Sequence, residues 1–558
     1  LMIVENHIKQ LNTQTNPKLK GFTRKQYNNQ PKATTNPNFT GFGGVAEFGN
    51  LALRFLDTNQ AWGACAVDLG CMVLPRTITD FSRGTDAGME TARREGMGTA
   101  NHSMVGVYGT LAGLALAADI NGIYKFGNND VKANEIFADS ETLDLHSKIF
   151  NEKLKAASQG DSKANPIREY LTETFKRYET LSPTENSKWI KLDDEAIAKT
   201  VDIMEKEING ASKKISKEGL NNARNTIISA LGSENNFRII AEQGEKNHTS
   251  RYTVDYILEN VYKLGKVFSK DTVQDAFKNS TDIASNAFLK AMKSMNIKRS
   301  LIGIGIASAI GVSAQPLNIY LTKKKTGKSG FVGGGKEDNS TKFKIKKGLA
   351  ALLFGSGVLA TIGNPKNIVK DLQFKGFTPS IKQFKFIYGV TIMSRFLAAR
   401  NDNELSESAI KDTLGFANWL ILGNFVQKLV AQAFDKSLIK KDGEGIMKWI
   451  TNSVLKTRDE VLHASLGKKA FKDGKALNFN EMLKLADKAT KKKIRALNIA
   501  QIVGYAYSGL VLGCGIPRLN IYLTNRREAK NNAKNLTPEA TPTSTNIAFM
   551  KAQQKHFI

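Results

Sequence analysis

LIGIGIASAIGVSAQPLNIYL, residues 301–321, is a run of twenty-one residues without a charged side chain. At about 1.5 Å of rise per residue, a helix of this length reaches about 30 Å, the thickness of the hydrocarbon core of a bilayer. A helix in a soluble protein normally turns a polar face to water, and this run has no charged face to turn. The segment therefore predicts a helix in contact with a membrane.

The rest of the chain is mixed in character. Hydrophobic residues make up 41% of the 558 positions and the mean hydropathy is −0.30, which is low for a chain buried entirely in lipid. We expect an all-α fold, a polytopic membrane-associated helical bundle with an inserted soluble helical domain and disordered termini. The predicted boundaries are a disordered N-terminal tail (1–43), an apolar and charged helical region with short membrane segments (44–127), a soluble helical domain (128–299), a membrane helical bundle (300–434), amphipathic polar helices (435–495), a last membrane helix (496–524) and a disordered C-terminal tail (525–558).

Helix start and stop signals support the soluble helical domain. Asn165 followed by Pro166 predicts a capped helix start. A second helix is expected from the acidic residues at 193–195 to Gly210, and a third ends before Gly232. The apolar residues recur at helical spacing, whereas strand-type alternation is essentially missing, so we expect five to seven helices here.

Positive charge collects at the ends of the apolar runs. The chain holds 80 Lys and Arg against 52 Asp and Glu, a formal net charge of +28, which predicts an anionic partner. Lysine dominates and aromatic residues are only 8%, whereas nucleic-acid surfaces interleave arginine with stacking aromatics, so lipid headgroups are favoured over nucleic acid. The candidate contacts to anionic lipid are Lys323, Lys324, Lys325, Lys491, Lys492, Lys493, Arg526 and Arg527.

Both flanks of the apolar helices are basic, although loops of a simple up-and-down bundle should alternate between rich and poor in positive charge. Segments that enter the membrane and return on the same side would explain this, as would helices that associate at the membrane surface. Spanning helices remain the preferred interpretation. The first forty residues contain no apolar core of a cleavable signal peptide, so we expect a cytoplasmic or inner membrane, reached through an uncleaved apolar segment.

Small residues recur at intervals of four within the apolar runs, a spacing that lets helix backbones approach closely. The candidate packing positions are Gly109, Gly113, Gly303, Gly311, Gly509 and Gly513. A dimerisation face and packing between the chain's own helices are both compatible with this pattern, and the second is preferred.

Charged residues within or beside the apolar runs are the candidate functional residues. Ionisable groups at membrane depth are costly and commonly mark transport or proton pathways. The candidates are Asp68, Arg76, Asp80, Asp119 and Arg395. The spacing of Arg76 and Asp80 also predicts an ordinary ion pair on a helix surface. Structural ion pairs, a transport or gating role and an enzymatic acid–base pair all remain open, in that order of preference.

One string occurs twice. Leu-Asn-Ile-Tyr-Leu-Thr stands at 317–322 and again at 519–524, each time after a glycine-rich apolar helix. A duplicated structural element, of the kind found in transporters built from repeats, explains this best. A recurring signal for helix exit at a membrane interface is the alternative.

No catalytic, cofactor or metal signature survives inspection. Gly327-Lys328-Ser329 resembles the end of a phosphate-binding loop, but Thr322 replaces the first glycine and an apolar helix, not a strand, precedes it. We expect a membrane-anchored structural or interaction protein, with a non-enzymatic role preferred and a membrane enzyme left open. Its partners would be anionic lipid and, through the helical domain, another protein or a second copy. The alternative is a transporter or channel that uses intramembrane charges.

Overall fold

The structure is a computed structural model that describes residues 49–54, 56, 68–159, 165–185, 187–240, 252–327, 336–363, 367–418, 425–441, 443–446, 449–450 and 453–535. Residues 531–535 are described without their side chains. The chain is mostly helical, as predicted. The tail predicted to be disordered at 1–43 lies outside the described residues. At the other end, helix continues to Asn535, so the predicted disorder from 525 is wrong for 525–535.

The first described helices are short and follow a π-helical turn at Asp68–Val73. They are Leu74–Phe81 (α1), Thr85–Ser103 (α2), Val105–Leu116 (α3) and Ala118–Ile123 (α4). Pro75 stands in the first turn of α1, where its missing amide costs no hydrogen bond.

The next section holds six helices and three strands among the described residues. In chain order these are Ser140–Gln159 (α5), Pro166–Lys176 (α6), Tyr178–Leu181 (β1), Trp189–Lys191 (β2), Asp194–Asn209 (α7), Lys217–Leu231 (α8), Phe237–Ile239 (β3), Val254–Phe268 (α9) and Asp271–Lys278 (α10). Asn165 accepts hydrogen bonds at the start of α6, and Gly232 adopts the left-handed conformation after α8, as their positions predict.

The structure also contains short strands, which the sequence analysis did not predict. β1 pairs with β2 and with β3, both antiparallel, and two further two-stranded sheets join β4 (Ile439–Lys440) to β5 (Val454–Leu455) and β6 (Phe471–Lys472) to β7 (Lys475–Ala476). Each strand has two to four residues. Such strands are too short to show alternation against a helical background.

A 40-residue helix, Ala287–Thr326 (α11), contains the uncharged run and Pro316. Its first half contributes Phe288 and Met295 to the large apolar core built by α4–α10. Its second half contributes Ile304 to a different core. One continuous helix therefore joins the helical domain to the apolar bundle.

The second half of the chain contains both short and long helices, together with the two small sheets. The helices are Thr341–Ile362 (α12), Ile368–Asp371 (α13), Ile381–Ala398 (α14), Asp402–Phe416 (α15), Phe425–Phe434 (α16), Arg458–Leu466 (α17), Phe479–Leu485 (α18), Lys488–Tyr507 (α19) and, after a π-helical segment at Ser508–Gly515, Ile516–Asn535 (α20). The π-helical segment lies within the last apolar run.

Among the described residues, three helical stretches are long and apolar enough to cross a membrane: α11, α12 and the continuous stretch Lys488–Lys530. Their outer faces expose many large apolar side chains, which water would disfavour and lipid would not. The exposed set includes Leu301, Ile302, Ile306, Ile310, Leu349, Leu352, Leu353, Ile499, Ile502, Leu510 and Val511. The predicted division into domains stays a prediction.

Candidate functional site

Two segments far apart in the chain carry similar series of side-chain types, which differ in type only at Arg93 and Ile410. Residues 90–95 read ETARRE on α2, and residues 407–412 read ESAIKD on α15. An arginine stands seven positions before each series, Arg83 before the first and Arg400 before the second. We call α1–α3 with α11 the first repeat and α14–α16 with α19 and α20 the second repeat.

The two arginines exchange partners between the repeats. Arg83 pairs with Glu407 at 2.9 Å, and Arg400 lies 3.8 Å from Glu90. Glu90 in the first series corresponds to Glu407 in the second. Arg83 of the first repeat therefore contacts the glutamate of the second repeat, and Arg400 of the second repeat lies near the glutamate of the first. This reciprocal pattern is the one that a two-fold relation between equivalent surfaces generates.

The duplicated Leu-Asn-Ile-Tyr-Leu-Thr string supports this arrangement from within each repeat. The Asn318 side chain donates to the main-chain oxygen of Glu90 at 3.1 Å, and the Asn520 side chain donates to that of Glu407 at 2.9 Å. The hydroxyl of Thr524 donates to the Glu407 carboxylate at 2.6 Å. The string therefore holds the helix that carries the paired glutamate, which favours a duplicated element over a simple exit signal.

A second group of charges lies between these outer pairs. Glu95 is 5% exposed and lies within 3.6 Å of four cationic side chains, which are those of Arg76, Arg94, Arg395 and Lys411. Arg395 also pairs with Asp412 at 3.1 Å. The equivalence of the two repeats holds here too, since Arg94 corresponds to Lys411 and Glu95 to Asp412.

We call these ion-paired side chains the charge network. Among the described residues it contains six cationic and six anionic members: Arg76, Arg83, Arg94, Arg395, Arg400, Lys411, Asp80, Glu90, Glu95, Glu404, Glu407 and Asp412. The middle group around Glu95 has two positive charges in excess, and each outer group has one negative charge in excess. The formal charges of the network are therefore balanced.

The charge network extends from within the apolar runs, beside Val312 and Leu512, to their ends, beside Asn318 and Thr524. Asn101 of α2 donates to the main-chain oxygen of Ala307 at 2.7 Å, and Ser394 of α14 donates to that of Val312. On the other side, the Arg76 side chain approaches the oxygen of Leu512 at 3.4 Å. The charges thus occupy the interior of a bundle whose outside is apolar.

Glycines allow the helices to approach at these crossings. A Cβ added to Gly303 would lie 3.0 Å from the backbone nitrogen of Gly109, and one on Gly311 would meet Thr391 at 2.4 Å. A Cβ on Gly513 would meet the backbone of Cys71 and the ring of Pro75. Four of the six candidate glycines therefore face the chain's own helices at close range. Gly113 lies beside Arg299 and Gly509 is 4.0 Å from Cys71, which agrees with intramolecular packing.

Small residues also bring the two repeats together at the charges themselves. Gly98 faces the guanidinium of Arg395, and Gly415, its equivalent in the second repeat, faces that of Arg76. A Cβ on Gly415 would lie 3.1 Å from Arg76 Nη2. Arg395 and Arg76 are thus each placed against a glycine of the opposite repeat.

Four of the five predicted charge sites are buried together. Arg76, Asp80 and Arg395 belong to the charge network, and Asp68 is buried beside it, accepting a hydrogen bond from Thr99. The fifth, Asp119, is exposed in the first turn of α4, away from the network. The predicted surface pair between Arg76 and Asp80 is wrong. Both side chains are buried, and Arg76 pairs with Glu95 while Asp80 pairs with Arg83.

The cavity at the charge network is small. It has a volume of about 10 Å³ and is lined by Asp80, Arg83, Arg94, Glu407, Ser408, Lys411, Pro517 and Asn520. A cavity of this size admits about one water molecule. Among the described residues, the charged side chains at this cavity therefore pair with one another.

The candidate lipid contacts are exposed or half-buried at the ends of the long helices. Lys323–Lys325 follow the uncharged run, and Arg526 and Arg527 follow the second copy of the string, so both basic groups occupy equivalent places in the two repeats. Lys491–Lys493 lie within the first two turns of α19, and Lys493 is 3.7 Å from Asp435.

Several network members escaped the sequence analysis, chiefly Glu95, Lys411 and Asp412. The signal that could have revealed them is the match of charge type between 90–95 and 407–412, which includes few identical residues. Among the described residues, no group of three His, Cys, Asp or Glu side chains could hold a metal ion.

The described residues are mostly helical, with three membrane-length helices and a buried charge network between the two repeats. No family model, no curated protein and no solved structure matches this chain.

Proposed function

We propose that the protein is a non-enzymatic integral membrane protein of a cytoplasmic or inner membrane, a structural anchor that presents its helical domain to partners. The observation that carries the proposal is the pairing of the buried charges with one another around a cavity of about 10 Å³. A transport pathway would be expected to leave such groups facing water or substrate.

In this proposal the charge network clamps the two repeats together. A buried ion pair contributes little net stability, but removing one partner costs about 3–5 kcal/mol because the other charge stays buried. Reciprocal pairs therefore penalise any other register of the two repeats. The network selects one arrangement of apolar helices that would otherwise slide against one another in lipid.

The helical domain is attached rigidly to this anchor. α11 runs from the core of the domain into the bundle without a break. Where it enters, Arg299 is fully buried, donates to the main-chain oxygens of Asn134 and Ile136, and stacks on Phe137 at 3.9 Å. On the opposite side, Glu460 accepts hydrogen bonds from Ser233 of the domain and from Lys440. These two contacts fix the helical domain relative to the bundle, which suits recruitment of a partner by the domain.

The proposed membrane partner is anionic lipid. The basic groups after both copies of the duplicated string lie next to exposed apolar side chains, among them Tyr320 and Tyr522, each 60% exposed. An aromatic side chain followed by cations is typical of a membrane–water interface. Each cation near an anionic surface contributes about 1 kcal/mol.

Reconstitution into vesicles tests the proposal. The full chain would be inserted into phosphatidylglycerol-containing vesicles with a trapped pH dye, and proton flux followed under an imposed potential. The proposal predicts flux no greater than in protein-free vesicles, for the wild type and for Glu95→Gln alike. Flux that Glu95→Gln abolishes would contradict it.

A specific observation favours one other function, transport. Arg83 and Arg400 pair across two repeats, and such reciprocal pairs can break and re-form when repeats rock against each other. The flux experiment separates the two functions, since a transporter would show flux that depends on the charge network.

A further inference from the structure

An open pocket lies beside α16 and shares no residue with the charge network. Its volume is about 580 Å³, within the range of ligand-binding sites. Its walls come from α16, from the loop between β4 and β5, and from Ser187 of the helical domain. The pocket is therefore large enough for part of a lipid-sized molecule.

A close helix contact places the pocket at the level of the apolar runs. A Cβ added to Gly504, in the membrane-length stretch Lys488–Lys530, would meet the Gln427 side chain of α16 at 2.1 Å. Leu429, which lines the pocket, follows Gln427 by two residues, a rise of about 3 Å. The exposed Ile502 lies within one turn of Gly504 on the same stretch. The pocket therefore lies beside the apolar surface that the proposed function places in lipid.

A tryptophan forms part of the wall. Trp449 packs edge-on against Phe425 of α16, with ring centroids 5.8 Å apart, and the Lys428 amine lies 5.6 Å from the centre of its ring. Lys428 is held there because it donates to the main-chain oxygens of Ile450 and Ser453. Tryptophan is enriched where the hydrocarbon core meets the lipid headgroups. Its position indicates that the pocket lies at headgroup depth.

The apolar part of the lining is accessible to a ligand. Leu429 is 46% exposed and Ile446 is 79% exposed, and both line the pocket. Covering such side chains with hydrocarbon removes apolar surface from water, which is favourable in proportion to the area covered. This part of the pocket suits an acyl chain.

Two opposite charges stand at the polar end of the pocket. Lys441 and Glu444 both line it, and both are exposed. Neither side chain forms an ion pair with another described residue. They are the two charged residues of the described lining, so its formal charge is zero. A ligand with one anionic and one cationic group can pair with both, whereas a simple anion or cation leaves one of them unpaired.

We propose that this pocket binds one phospholipid whose zwitterionic headgroup ends in a primary ammonium, a phosphatidylethanolamine. Its phosphate accepts a hydrogen bond from Lys441, its ammonium donates to the Glu444 carboxylate, and an acyl chain lies along Leu429 and Ile446. A choline headgroup has no N–H to donate to Glu444, and a glycerol headgroup has no cation for it. The inference rests on the membrane placement in the proposed function and goes beyond it by assigning one lipid class to one site.

Native mass spectrometry of the full chain tests the assignment. The protein would be purified in detergent, freed of lipid, and titrated with dioleoyl phosphatidylethanolamine or dioleoyl phosphatidylcholine. We expect one phosphatidylethanolamine to bind about tenfold more tightly, because it forms one more charge-assisted hydrogen bond. Glu444→Gln should remove this preference, and Lys441→Gln should weaken the binding of both lipids, since both carry the phosphate.

Glu152→Gln is the matched control, since Glu152 is an exposed glutamate on α5. It should keep the preference of the wild type. An equal amount of dioleoyl phosphatidylglycerol should leave the bound phosphatidylethanolamine in place, because that lipid offers Glu444 no cation.

Three results would each overturn the assignment: equal binding of the two zwitterionic lipids, an unchanged preference in Glu444→Gln, or displacement of the bound lipid by the soluble headgroup glycerophosphoethanolamine. A protein that resists extraction from membranes by alkaline carbonate but shows no lipid preference overturns this site alone. Recovery in the carbonate supernatant overturns the membrane placement itself, so the two failures are distinguishable.

Discussion

Arg83 and Glu407 form a two-point ion pair across the repeats, with Arg83 Nη1 at 3.2 Å and Nη2 at 2.9 Å from the two carboxylate oxygens. Both side chains are largely buried, at 16% and 8% exposure. The pair joins residues 324 positions apart in the chain. It is therefore a direct probe of whether the charge network holds the repeats together.

Arg83→Met should lower the free energy of unfolding by about 3 kcal/mol, because Glu407 would remain buried without its main cation. Adding Glu407→Leu should recover only part of this loss, since the buried carboxylate of Asp80 then remains without Arg83. Chemical denaturation of the four proteins in detergent micelles measures the coupling. Strictly additive effects would show that the pair does not act as a unit.

Gly303→Ala should destabilise the bundle by about 1–3 kcal/mol, because its new methyl would lie 3.0 Å from the backbone of Gly109 and neither backbone can yield easily. Gly305→Ala is the matched control two residues away, where no atom lies within 4 Å. It should be neutral or stabilise the helix by up to about 1 kcal/mol. Thermal unfolding in one detergent compares them, and equal loss in both variants would disprove the close helix contact.

Asn318→Leu and Asn520→Leu should each cost about 2 kcal/mol, because each removes a donor from the buried main-chain oxygen of Glu90 or Glu407. The loss should be larger at Asn318, whose side chain also accepts from Arg93 at 3.0 Å. Tyr320→Phe is the control within the same string, since this side chain is exposed. If the control destabilises as much as the asparagine variants, the supporting role of the string is wrong.

Lys456 gives a pH-dependent prediction outside the apolar helices. Burial lowers the pKa of Lys456 to about 8 from 10.5, and the nearby Glu460 offsets only part of this. The charged form is therefore penalised in the folded state below pH 8, and the penalty is relieved as the pH rises from about 8 to 10.5 because the unfolded chain then holds more protons.

Lys456→Met should be more stable than the wild type at pH 7 by about 1 kcal/mol, allowing for the solvent that still reaches the amine. Its advantage should shrink as the pH rises from 8 to 10. Urea denaturation at several pH values measures it, with the exposed Lys472→Met as control. A stability difference that stays constant over this range would contradict the assigned burial cost.

The sequence predicted the helices well where the physical signal is local. The uncharged run, the cap at Asn165 and the stop at Gly232 depend on residues within a turn or two, and all three are present in the structure. The strands escaped because β1 gains its pairing from Arg238 and Lys191, residues outside its own segment. A four-residue strand carries too little pattern of its own.

The candidate site was predictable only in part, because its ion pairs join residues that are far apart in the sequence. The duplicated string indicated a repeat, and Arg76, Asp80 and Arg395 were identified as charges in apolar surroundings. Their partners could not be assigned from the sequence. An i,i+4 spacing predicts a partner on the same helix, whereas a buried charge is stabilised by any opposite charge close to it, including one from another helix. Arg76 reaches Glu95 on another helix for this reason.

Extraction of the membrane fraction tests the central claim most directly, that lipid surrounds the apolar outer faces of α11, α12 and the stretch Lys488–Lys530. Membranes from cells that make the full chain would be washed with alkaline carbonate, centrifuged and then treated with detergent. We predict that the protein stays in the carbonate pellet and is released only by detergent. Recovery in the carbonate supernatant, or in the soluble fraction before any wash, would contradict this account.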